Sequence, residues 1–237
     1  MSASFYSPEF FTAIDDGSLR SARVIVPGLV RQLHPSSAVD IGCGLGNFLR
    51  VFIENGVHDV LGVDGAHVPR HLLKIPADRF VTCDLEQSWN LGRQFDIAVC
   101  LEVAEHLELQ NADAFIANLV SLAPVLLFSA AIPYQGGENH VNCQWPEYWQ
   151  NLFGSHSYEM VDILRSGLMT NDEVEWWYAQ NAFIVAHRTV VDRHPEWASH
   201  VHRPARRLVH PKLYMHNSEL AGINATSPSR SAGREPA

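Results

Sequence analysis

The spacing of the apolar residues changes at residue 42, from the pattern of a strand to that of a helix. A short apolar run at 38–41 ends at Gly42. Beyond it, apolar residues recur at i, i+3, i+4, i+7 and i+8, the spacing of one helix face: Leu45, Phe48, Leu49, Phe52 and Ile53. Gly42, Gly44 and Gly46 can adopt φ > 0 and have no Cβ, so a ligand can approach bare backbone amides at the helix N-terminus. The pattern therefore predicts a strand, a ligand-binding turn and a helix.

Further apolar runs alternate with helical patterns along the middle of the chain. Strands are predicted at 60–64, 79–83, 95–101 and 125–132, a short connecting segment at 67–74 and a helix at 112–122. This alternation predicts an α/β fold with a doubly wound, Rossmann-like, mainly parallel sheet. Ligands of such sheets bind beyond the carboxyl ends of the strands, where the strand order switches.

The two ends of the chain have different patterns. Residues 1–35 have helical spacing on both sides of an expected turn at 15–18, which predicts an N-terminal helical cap. The apolar positions that carry this spacing are Phe5, Tyr6, Phe10, Phe11, Ile14, Val24, Ile25, Leu29 and Val30. Two late strands are predicted at 158–164 and 181–187. We expect a binding domain over 36–190, an extension over 191–216 and a disordered tail over 217–237.

Composition limits the classes of function. A chain of 237 residues with 46% hydrophobic and 18% charged residues is typical of one globular domain. A net charge of −9 argues against a nucleic-acid partner. Since there is no long apolar run and no secretory signal, we expect a cytoplasmic protein without a membrane partner. The four cysteines, Cys43, Cys83, Cys100 and Cys143, lack CxxC spacing and are expected to be reduced and buried.

Two residues bear on the nucleotide that the turn would bind. Asn47 stands where a dinucleotide fold prefers glycine or alanine. Asp64 ends the second strand, where a carboxylate can accept hydrogen bonds from both hydroxyls of an adenosine ribose. Because NAD and S-adenosylmethionine both contain this ribose, the acid alone does not distinguish between these two ligands.

The order of four segments resembles that of the class I S-adenosylmethionine-dependent methyltransferases. The segments are VDIGCGLG at 39–46, VLGVDG at 60–65, VTCDL at 81–85 and FDIAVCLEVAEHL at 95–107. The resemblance extends over about residues 36–132 and implies S-adenosylmethionine as the cofactor, with 36–190 as the domain that binds it. It also implies a seven-stranded sheet whose last two strands form a reversed hairpin.

The resemblance implies cofactor contacts residue by residue. The methionine moiety would lie against Asp40, Gly42, Cys43, Gly44, Gly46, Leu101 and Glu102. Asp64 would hold the ribose, and Asp84 and Leu85 would meet the adenine. Two alternatives stay open: Asp40 as a strand-end acid only, and Glu102 as a helix cap only.

Methyl transfer to a hydroxyl or a protonated amine also needs a group that accepts a proton. That base must lie beside the sulfonium, near the carboxyl ends of the fourth and fifth strands. His106 and His140 lie there in the sequence, and imidazole has a suitable pKa. The alternatives are that His106 packs in the cofactor wall and that His140 is a loop histidine bonded to Asn142 or to the backbone.

The polar stretch after the fifth predicted strand is a candidate substrate loop. It resembles a run in a bacterial subgroup of these enzymes and offers amide and indole donors beside aromatic faces, a combination suited to a sugar or a heterocycle. Its candidate substrate contacts are Asn139, Asn142, Gln144, Trp145, Tyr148 and Trp149. The alternative for the three aromatic residues is a place in the core of a helix. Trp176, Trp177 and Tyr178 could close the pocket from the other side.

The sequence favours an enzyme that methylates oxygen, or less readily nitrogen, of a small polar metabolite such as a sugar or a natural-product intermediate. Leu101-Glu102-Val103-Ala104 is not the Asp/Asn-Pro-Pro-aromatic run of methyltransferases that act on the amines of nucleic-acid bases. A dehydrogenase is disfavoured by Asn47.

Two further alternatives involve other residues. A metal-assisted enzyme would use Glu105, His106 and His140 with His200 and His202, and we expect no metal because these residues do not share one element. A non-catalytic binding protein would instead dock a partner through a basic face. That face would comprise Arg193, Arg203, Arg206, Arg207 and Lys212. We expect it to be a solvated surface or a subunit contact, which leaves a homodimer open.

Overall fold

The computed structural model describes residues 7–87 and 89–221. In this part of the chain the strands are β1 (Ser37–Ile41), β2 (Asp59–Asp64), β3 (Phe80–Thr82), β4 (Ile97–Leu101), β5 (Val125–Ser129), β6 (Tyr158–Val161) and β7 (Phe183–His187). The α-helices are α1 (Pro8–Leu33), α2 (Asn47–Glu54), α3 (Ala112–Leu122), α4 (Pro146–Ser155), α5 (Arg165–Leu168), α6 (Trp176–Asn181), α7 (Arg188–Val191) and α8 (Pro211–Leu220). Short 3-10 turns lie at Arg70–Leu72, Ala77–Arg79, Ala104–His106, Leu109–Asn111 and Pro195–His200.

The strands form one seven-stranded sheet in the order β3-β2-β1-β4-β5-β7-β6. Strands β1 to β5 are parallel to one another, and β7 pairs antiparallel with both β5 and β6. The order reverses between β1 and β4, so the loops after these strands diverge and leave a crevice. This topology confirms the predicted mainly parallel sheet and the reversed hairpin at its end.

Both faces of the sheet are buried. Along β4, Ile97, Val99 and Leu101 belong to one hydrophobic cluster, while Ala98 and Cys100 belong to the other. Helices α1 and α2 supply the first cluster, and α3 and α4 supply the second. Burial on both faces explains why the strands are continuous apolar runs rather than alternating ones.

Some hydrogen-bonded strands are shorter than the strands predicted from the apolar runs. Strand β5 ends at Ser129, although Ala130, Ala131 and Ile132 beyond it are also buried. These residues form a wall of the core without pairing in the sheet, and apolar pattern alone cannot distinguish the two situations.

The N-terminal cap is one continuous helix, so the turn expected at 15–18 is wrong. Gly17 lies inside α1, where a Cβ would be 2.1 Å from Oε1 of Glu175. The glycine therefore allows a close approach of two segments and does not mark a break. Ser7 caps the helix by accepting a hydrogen bond from the Phe10 amide at 3.3 Å. The predicted positions Phe5 and Tyr6 lie outside the described residues.

The end of the described chain is also helical. His210 caps α8 through Nδ1, which accepts from the Lys212 amide at 3.1 Å. The helix runs to Leu220 and so includes 217–220, where composition had predicted the start of a disordered tail. The rest of that predicted tail, 222–237, lies outside the described residues. Within the described chain, no helix combines the length and the apolarity that crossing a bilayer requires.

A buried arginine ties the second half of the chain together. Arg165 is 1% exposed and donates to both oxygens of Asp162, at 2.8 and 2.6 Å. It also donates to the backbone oxygens of Gln180 and Arg206, and its guanidinium lies 4.0 Å from the centroid of the Phe183 ring. One side chain thus joins α5, α6, β7 and the C-terminal extension.

We predict that Arg165→Met lowers the free energy of unfolding by about 3–5 kcal/mol, because Asp162 would be left buried without its counter-charge. Urea unfolding measures the change. The matched control is Arg93→Met, since Arg93 also pairs with an aspartate, Asp59, and lies 4.3 Å from the centroid of a phenylalanine ring, but is exposed. The control should lose less than about 1 kcal/mol. Equal losses in the two variants would show that burial of the pair is not what matters.

Candidate active site

Two cavities open at the carboxyl ends of the parallel strands. The larger, of about 390 Å³, lies between the glycine turn, α1, the loop after β5 and α6. The smaller, of about 290 Å³, lies beyond the ends of β2 and β3. Asp64 and His67 line both cavities. The two spaces therefore meet at the end of β2.

The glycine turn has the left-handed backbone that the sequence predicts. The φ angles of Gly42, Gly44 and Gly46 are 77°, 52° and 84°. At Gly42 a Cβ would lie 2.3 Å from Cγ2 of Val103, so glycine is required there by packing as well as by conformation. Gly42, Cys43 and Gly44 line the larger cavity, and Gly46 caps α2 just behind it.

Asp64 fastens this turn to the end of β2. Its Oδ2 accepts from the Gly44 amide at 2.7 Å and its Oδ1 accepts from the Gly65 amide at 2.6 Å. Burial raises the pKa of the Asp64 carboxyl, while the two amides and His67 act in the opposite direction. Each carboxylate oxygen has a second lone pair, so the side chain can still accept from a ligand.

Asp40 lies beneath the turn at the floor of the larger cavity. It is buried, and burial together with the charge of Asp64 raises the pKa of the Asp40 carboxyl well above its usual range. Burial likewise raises the pKa of the neighbouring Cys43 thiol well above its usual range. The protonated thiol is therefore not a nucleophile.

Asp84 and Leu85 lie together at the smaller cavity, as their adjacent positions after β3 require. Leu85 is buried and provides an apolar surface. Asp84 is exposed, and its Oδ1 accepts from the Glu86 amide at 3.1 Å. An apolar wall beside an acceptor at the rim fits a heterocycle with an exocyclic amine.

Leu101 and Glu102 line the larger cavity at the end of β4. Glu102 has φ 55°, and its carboxylate accepts from Nε2 of Gln135 at 2.7 Å and from Nδ2 of Asn181 at 3.2 Å. Burial raises the pKa of Glu102, and the hydrogen bonds from these amides oppose that shift. The helix-cap alternative does not apply, because the 3-10 turn that follows has no side-chain cap.

His106 and His140 come together in the larger cavity although they are far apart in the sequence. Their rings lie edge to face with centroids 4.7 Å apart. Burial lowers the pKa of His106, and burial with the charge of His106 lowers the pKa of His140 to about 4. Both rings are therefore neutral near pH 7.

The loop that carries His140 is fixed to the end of β4 by backbone hydrogen bonds. The amides of Val141 and Asn142 both donate to the Glu105 carbonyl oxygen at 2.9 Å. Nδ1 of His106 donates to the Asn139 carbonyl oxygen at 3.2 Å. Asn139 has φ 54°, a conformation that asparagine tolerates better than most residues.

The predicted substrate residues of this loop divide into two groups. The two asparagines do not line the larger cavity: the backbone carbonyl oxygen of Asn139 accepts from His106, and Asn142 is buried and accepts through Oδ1 from Gln144 at 3.0 Å. Trp145, Tyr148 and Trp149 lie away from both cavities. Trp149 is buried against Phe128, Tyr148 contacts Trp149, and Trp145 lies under the Arg207 guanidinium.

Trp149 therefore lies in the core of the protein, which was the alternative to a substrate contact. Helix α4 begins at Pro146 and packs its aromatic face on the sheet, which the mixed polar and aromatic composition of the segment concealed. Trp176, Trp177 and Tyr178 do line the larger cavity from the far side, as the sequence suggested.

Sequence reasoning missed the part that α1 plays in the site. Phe10, Phe11, Ile14, Asp15 and Ser18 line the larger cavity. Phe11 stacks on His67 with ring centroids 6.1 Å apart. Asp15 accepts from Asn47 Nδ2 at 3.0 Å and pairs with Lys74 at 2.9 Å. Asn47 thus holds α1 over the turn, whereas the sequence had used it only as evidence against a dinucleotide.

The basic residues near the C-terminus make local contacts. Arg207 pairs with Glu147 and Arg203 with Glu159, and Lys212 pairs with Asp172 at 3.6 Å. Arg193 donates to the Thr189 carbonyl oxygen at 3.1 Å, and the backbone oxygen of Arg206 accepts from Arg165. The paired charges offer a weaker docking surface than the sequence alone suggested.

His200 and His202 do not join the histidines of the cavity. They flank Val201, which bridges to Val161 of β6 at the edge of the sheet. The part of the sequence hypothesis that adds them to a metal site is therefore wrong, while the other three residues of that hypothesis do converge.

Comparisons with known proteins give the family. A model described as a methyltransferase domain matches residues 20–194, which is more than half of the chain. No match is found among curated proteins. The chain covers 59% of a larger Nostoc punctiforme protein, with TM-score 0.54, 13% identity and 75% of this chain aligned.

Two other solved structures are similar. CalS10, an amino pentose methyltransferase from Micromonospora echinaspora, has TM-score 0.59 and 16% identity, with 79% of this chain and 100% of that chain covered. Magnesium protoporphyrin IX methyltransferase from Synechocystis has TM-score 0.52 and 21% identity, with 72% and 84% covered. At these identities the likeness shows a shared fold. Together with the family match, it shows that the chain belongs to the methyltransferase-domain family and is a class I S-adenosylmethionine-dependent methyltransferase.

Proposed function

We propose that the two cavities together hold one extended molecule of S-adenosylmethionine. The adenine would lie in the smaller cavity between Asp84 and Leu85, and the methionine moiety in the larger cavity against the glycine turn. Asp64 would accept from the ribose hydroxyls where the cavities meet. The observation that supports this arrangement is that Asp64 and His67 line both spaces.

We further propose that the methyl acceptor is an oxygen, or less readily a nitrogen, of a small polar metabolite. The part of the larger cavity beyond the glycine turn combines aromatic faces with polar groups, which suits a small polar ring such as a sugar. The residues concerned are Phe10, His106, Gln135, Glu138, His140, Trp176 and Trp177. CalS10, described as acting on an amino pentose, is consistent with such an acceptor.

His140 is our candidate for the group that takes the acceptor's proton. A lone pair of the acceptor oxygen would attack the methyl carbon as the carbon–sulfur bond breaks, leaving S-adenosylhomocysteine, and the hydroxyl proton would pass to the imidazole. The ring of His140 is neutral and so has a lone pair for the proton, but burial, together with the charge of His106, lowers its pKa to about 4 and makes it a weaker base than an ordinary imidazole. His106 beside it packs as part of the wall. Most of the rate enhancement would come from alignment of oxygen, methyl carbon and sulfur.

The non-catalytic alternative, a cofactor-binding protein that acts through a basic docking face, has less support. Several of the basic side chains that would form this face are paired with acids of the same chain. The histidine pair, by contrast, faces the cavity that the glycine turn lines.

Two substitutions separate cofactor binding from chemistry. We predict that Asp64→Ala weakens S-adenosylhomocysteine binding by roughly 10-fold to 100-fold, because the proposed charged hydrogen bonds to the ribose and those that hold the glycine turn are lost together. His140→Ala should change that affinity little, yet lower turnover by roughly 10²-fold to 10⁴-fold. Calorimetry gives the affinities, and release of S-adenosylhomocysteine with an acceptor that the wild-type protein methylates gives the turnover.

His140→Ala is the control for the affinity measured with Asp64→Ala, because His140 takes no part in the hydrogen bonds that hold the glycine turn. If His140→Ala loses as much cofactor affinity as Asp64→Ala, His140 belongs to the cofactor site and has no role in proton removal.

A second prediction concerns the position of the His140 ring. A Cβ on Gly137 would lie 2.3 Å from both Cε1 and Nε2 of His140, whereas one on Gly136 would meet nothing within 4 Å. Both glycines have positive φ, so alanine strains the backbone at either position. Gly137→Ala should therefore lower turnover through displacement of the ring, and Gly136→Ala should lower it much less. Similar losses would show that only backbone strain matters here.

A further inference from the structure

Three side chains with metal-binding atoms meet beside the larger cavity. Glu105 and His106 lie on the 3-10 turn after β4, and His140 reaches them from the loop after β5. One ligand atom of each lies within 4.8 Å of those of the other two. We propose that Glu105, His106 and His140 bind a divalent transition-metal cation. We infer cation binding from the contacts of these three side chains, and only the role of the cation in methyl transfer rests on the proposed function.

The strongest observation is the Glu105 carboxyl group. It is 0% exposed, and within the described residues neither of its oxygens makes a hydrogen bond of ordinary geometry, although the Glu105 and Ala131 amides and the Glu102 carboxyl group lie near it. A buried carboxyl group without partners is destabilising unless it is neutralised or binds a cation. Oε1 lies 4.0 Å from Nε2 of His140, which is too far for a hydrogen bond. Two ligands of one tetrahedral Zn²⁺, each about 2.0–2.2 Å from the ion, lie about 3.3–3.6 Å apart, so the two side chains need to approach each other by only about 0.5 Å to share a cation.

The histidines have outer contacts of the kind that orient metal ligands. Nδ1 of His106 lies 3.2 Å from the Asn139 carbonyl oxygen, which can only accept, so this nitrogen carries the proton and Nε2 carries the lone pair. Nδ1 of His140 lies 3.6 Å from Sγ of Cys143. Metal binding requires the tautomer in which Nδ1–H donates to the sulfur, because this tautomer gives His140 a lone pair on Nε2, the atom that faces Glu105.

The backbone holds the three ligands in place. The amides of Val141 and Asn142 fix the histidine loop to the carbonyl oxygen of Glu105, each at 2.9 Å. Gly137 leaves room for the His140 ring, since a Cβ there would lie 2.3 Å from its Nε2. The cluster is thus built from two loops that bond to each other, which reduces the reorganisation that metal binding requires.

The donor set indicates the type of cation. Two imidazoles and one carboxylate favour first-row transition cations such as Zn²⁺ or Mn²⁺ over Mg²⁺ and Ca²⁺, which prefer oxygen ligands. Three protein ligands leave a coordination position open.

An acceptor hydroxyl that bound at this open position would have a lower pKa and lose its proton to solvent. Its oxygen would then attack the methyl carbon as the carbon–sulfur bond breaks. In the metal-loaded protein, His140 would hold the cation and would not take the proton itself.

Calorimetric titration of the chelator-treated full chain with Zn²⁺, Mn²⁺ and Mg²⁺ tests the proposal. We expect one Zn²⁺ or Mn²⁺ per chain, with binding weakened at least about tenfold in Glu105→Gln, which keeps the shape of the side chain, and in His140→Ala. His216→Ala on the exposed face of α8 controls for adventitious binding to surface imidazoles and should leave the affinity unchanged. Thermal melting followed by circular dichroism shows whether each variant is folded.

Three results would overturn the metal site. In the first, the folded wild-type protein binds none of the cations at one per chain. In the second, Glu105→Gln binds the cation as tightly as the wild-type protein does. In the third, the wild-type protein binds Mg²⁺ more tightly than Zn²⁺ and Mn²⁺. A parallel titration with S-adenosylhomocysteine keeps the two proposals apart. Binding of this nucleoside without any cation removes only the metal site, whereas binding of the cation without the nucleoside removes only the proposed cofactor arrangement.

Discussion

The geometry of the site depends on the hydrogen bonds that the Asp64 carboxylate accepts from Gly44 and Gly65. They join the turn after β1 to the end of β2, so two loops that diverge from a parallel sheet are held at one point. The positive φ angles of the glycines give the turn the conformation in which this approach occurs. A side chain at Gly42 would in addition collide with Val103. Since Asp64, like His67, lines both cavities, the same bonds set the distance between the proposed adenine and methionine sites.

The sheet places the histidine cluster beside the glycine turn. Strands β1 and β4 are adjacent and parallel, so the residues after β4 lie beside the glycine turn. Glu102 is held there by Gln135 and Asn181, and Glu105 is joined to the loop that carries His140. The polar groups of the segment after β4, the histidine loop and α6 therefore form one hydrogen-bonded wall. Its buried carboxyl groups are stable only if they are hydrogen-bonded, protonated or bound to a cation, and within the described residues the oxygens of Glu105 make no hydrogen bond of ordinary geometry.

The sequence predicted those features that depend on local pattern. Continuous apolar runs and the glycine turn were sufficient for the parallel sheet, its ligand edge and the acids at the strand ends. Features that depend on distant contacts were missed. Gly17 was interpreted as a turn because its close contact with Glu175, which leaves no room for a side chain, is not visible in the local sequence. Trp149 was interpreted as part of a binding surface because its packing partner, Phe128, lies on another element. The convergence of Glu105 with His140 was discounted for the same reason, since no spacing within one element reports it.

The most direct test of the central claim is a crystal structure of the protein with S-adenosylhomocysteine. The account predicts the adenine between Asp84 and Leu85, the ribose hydroxyls on Asp64, and the sulfur in the larger cavity on the side that faces His106 and His140. A nucleoside bound with its ribose away from Asp64, or with its sulfur turned from the histidines toward solvent, would contradict it.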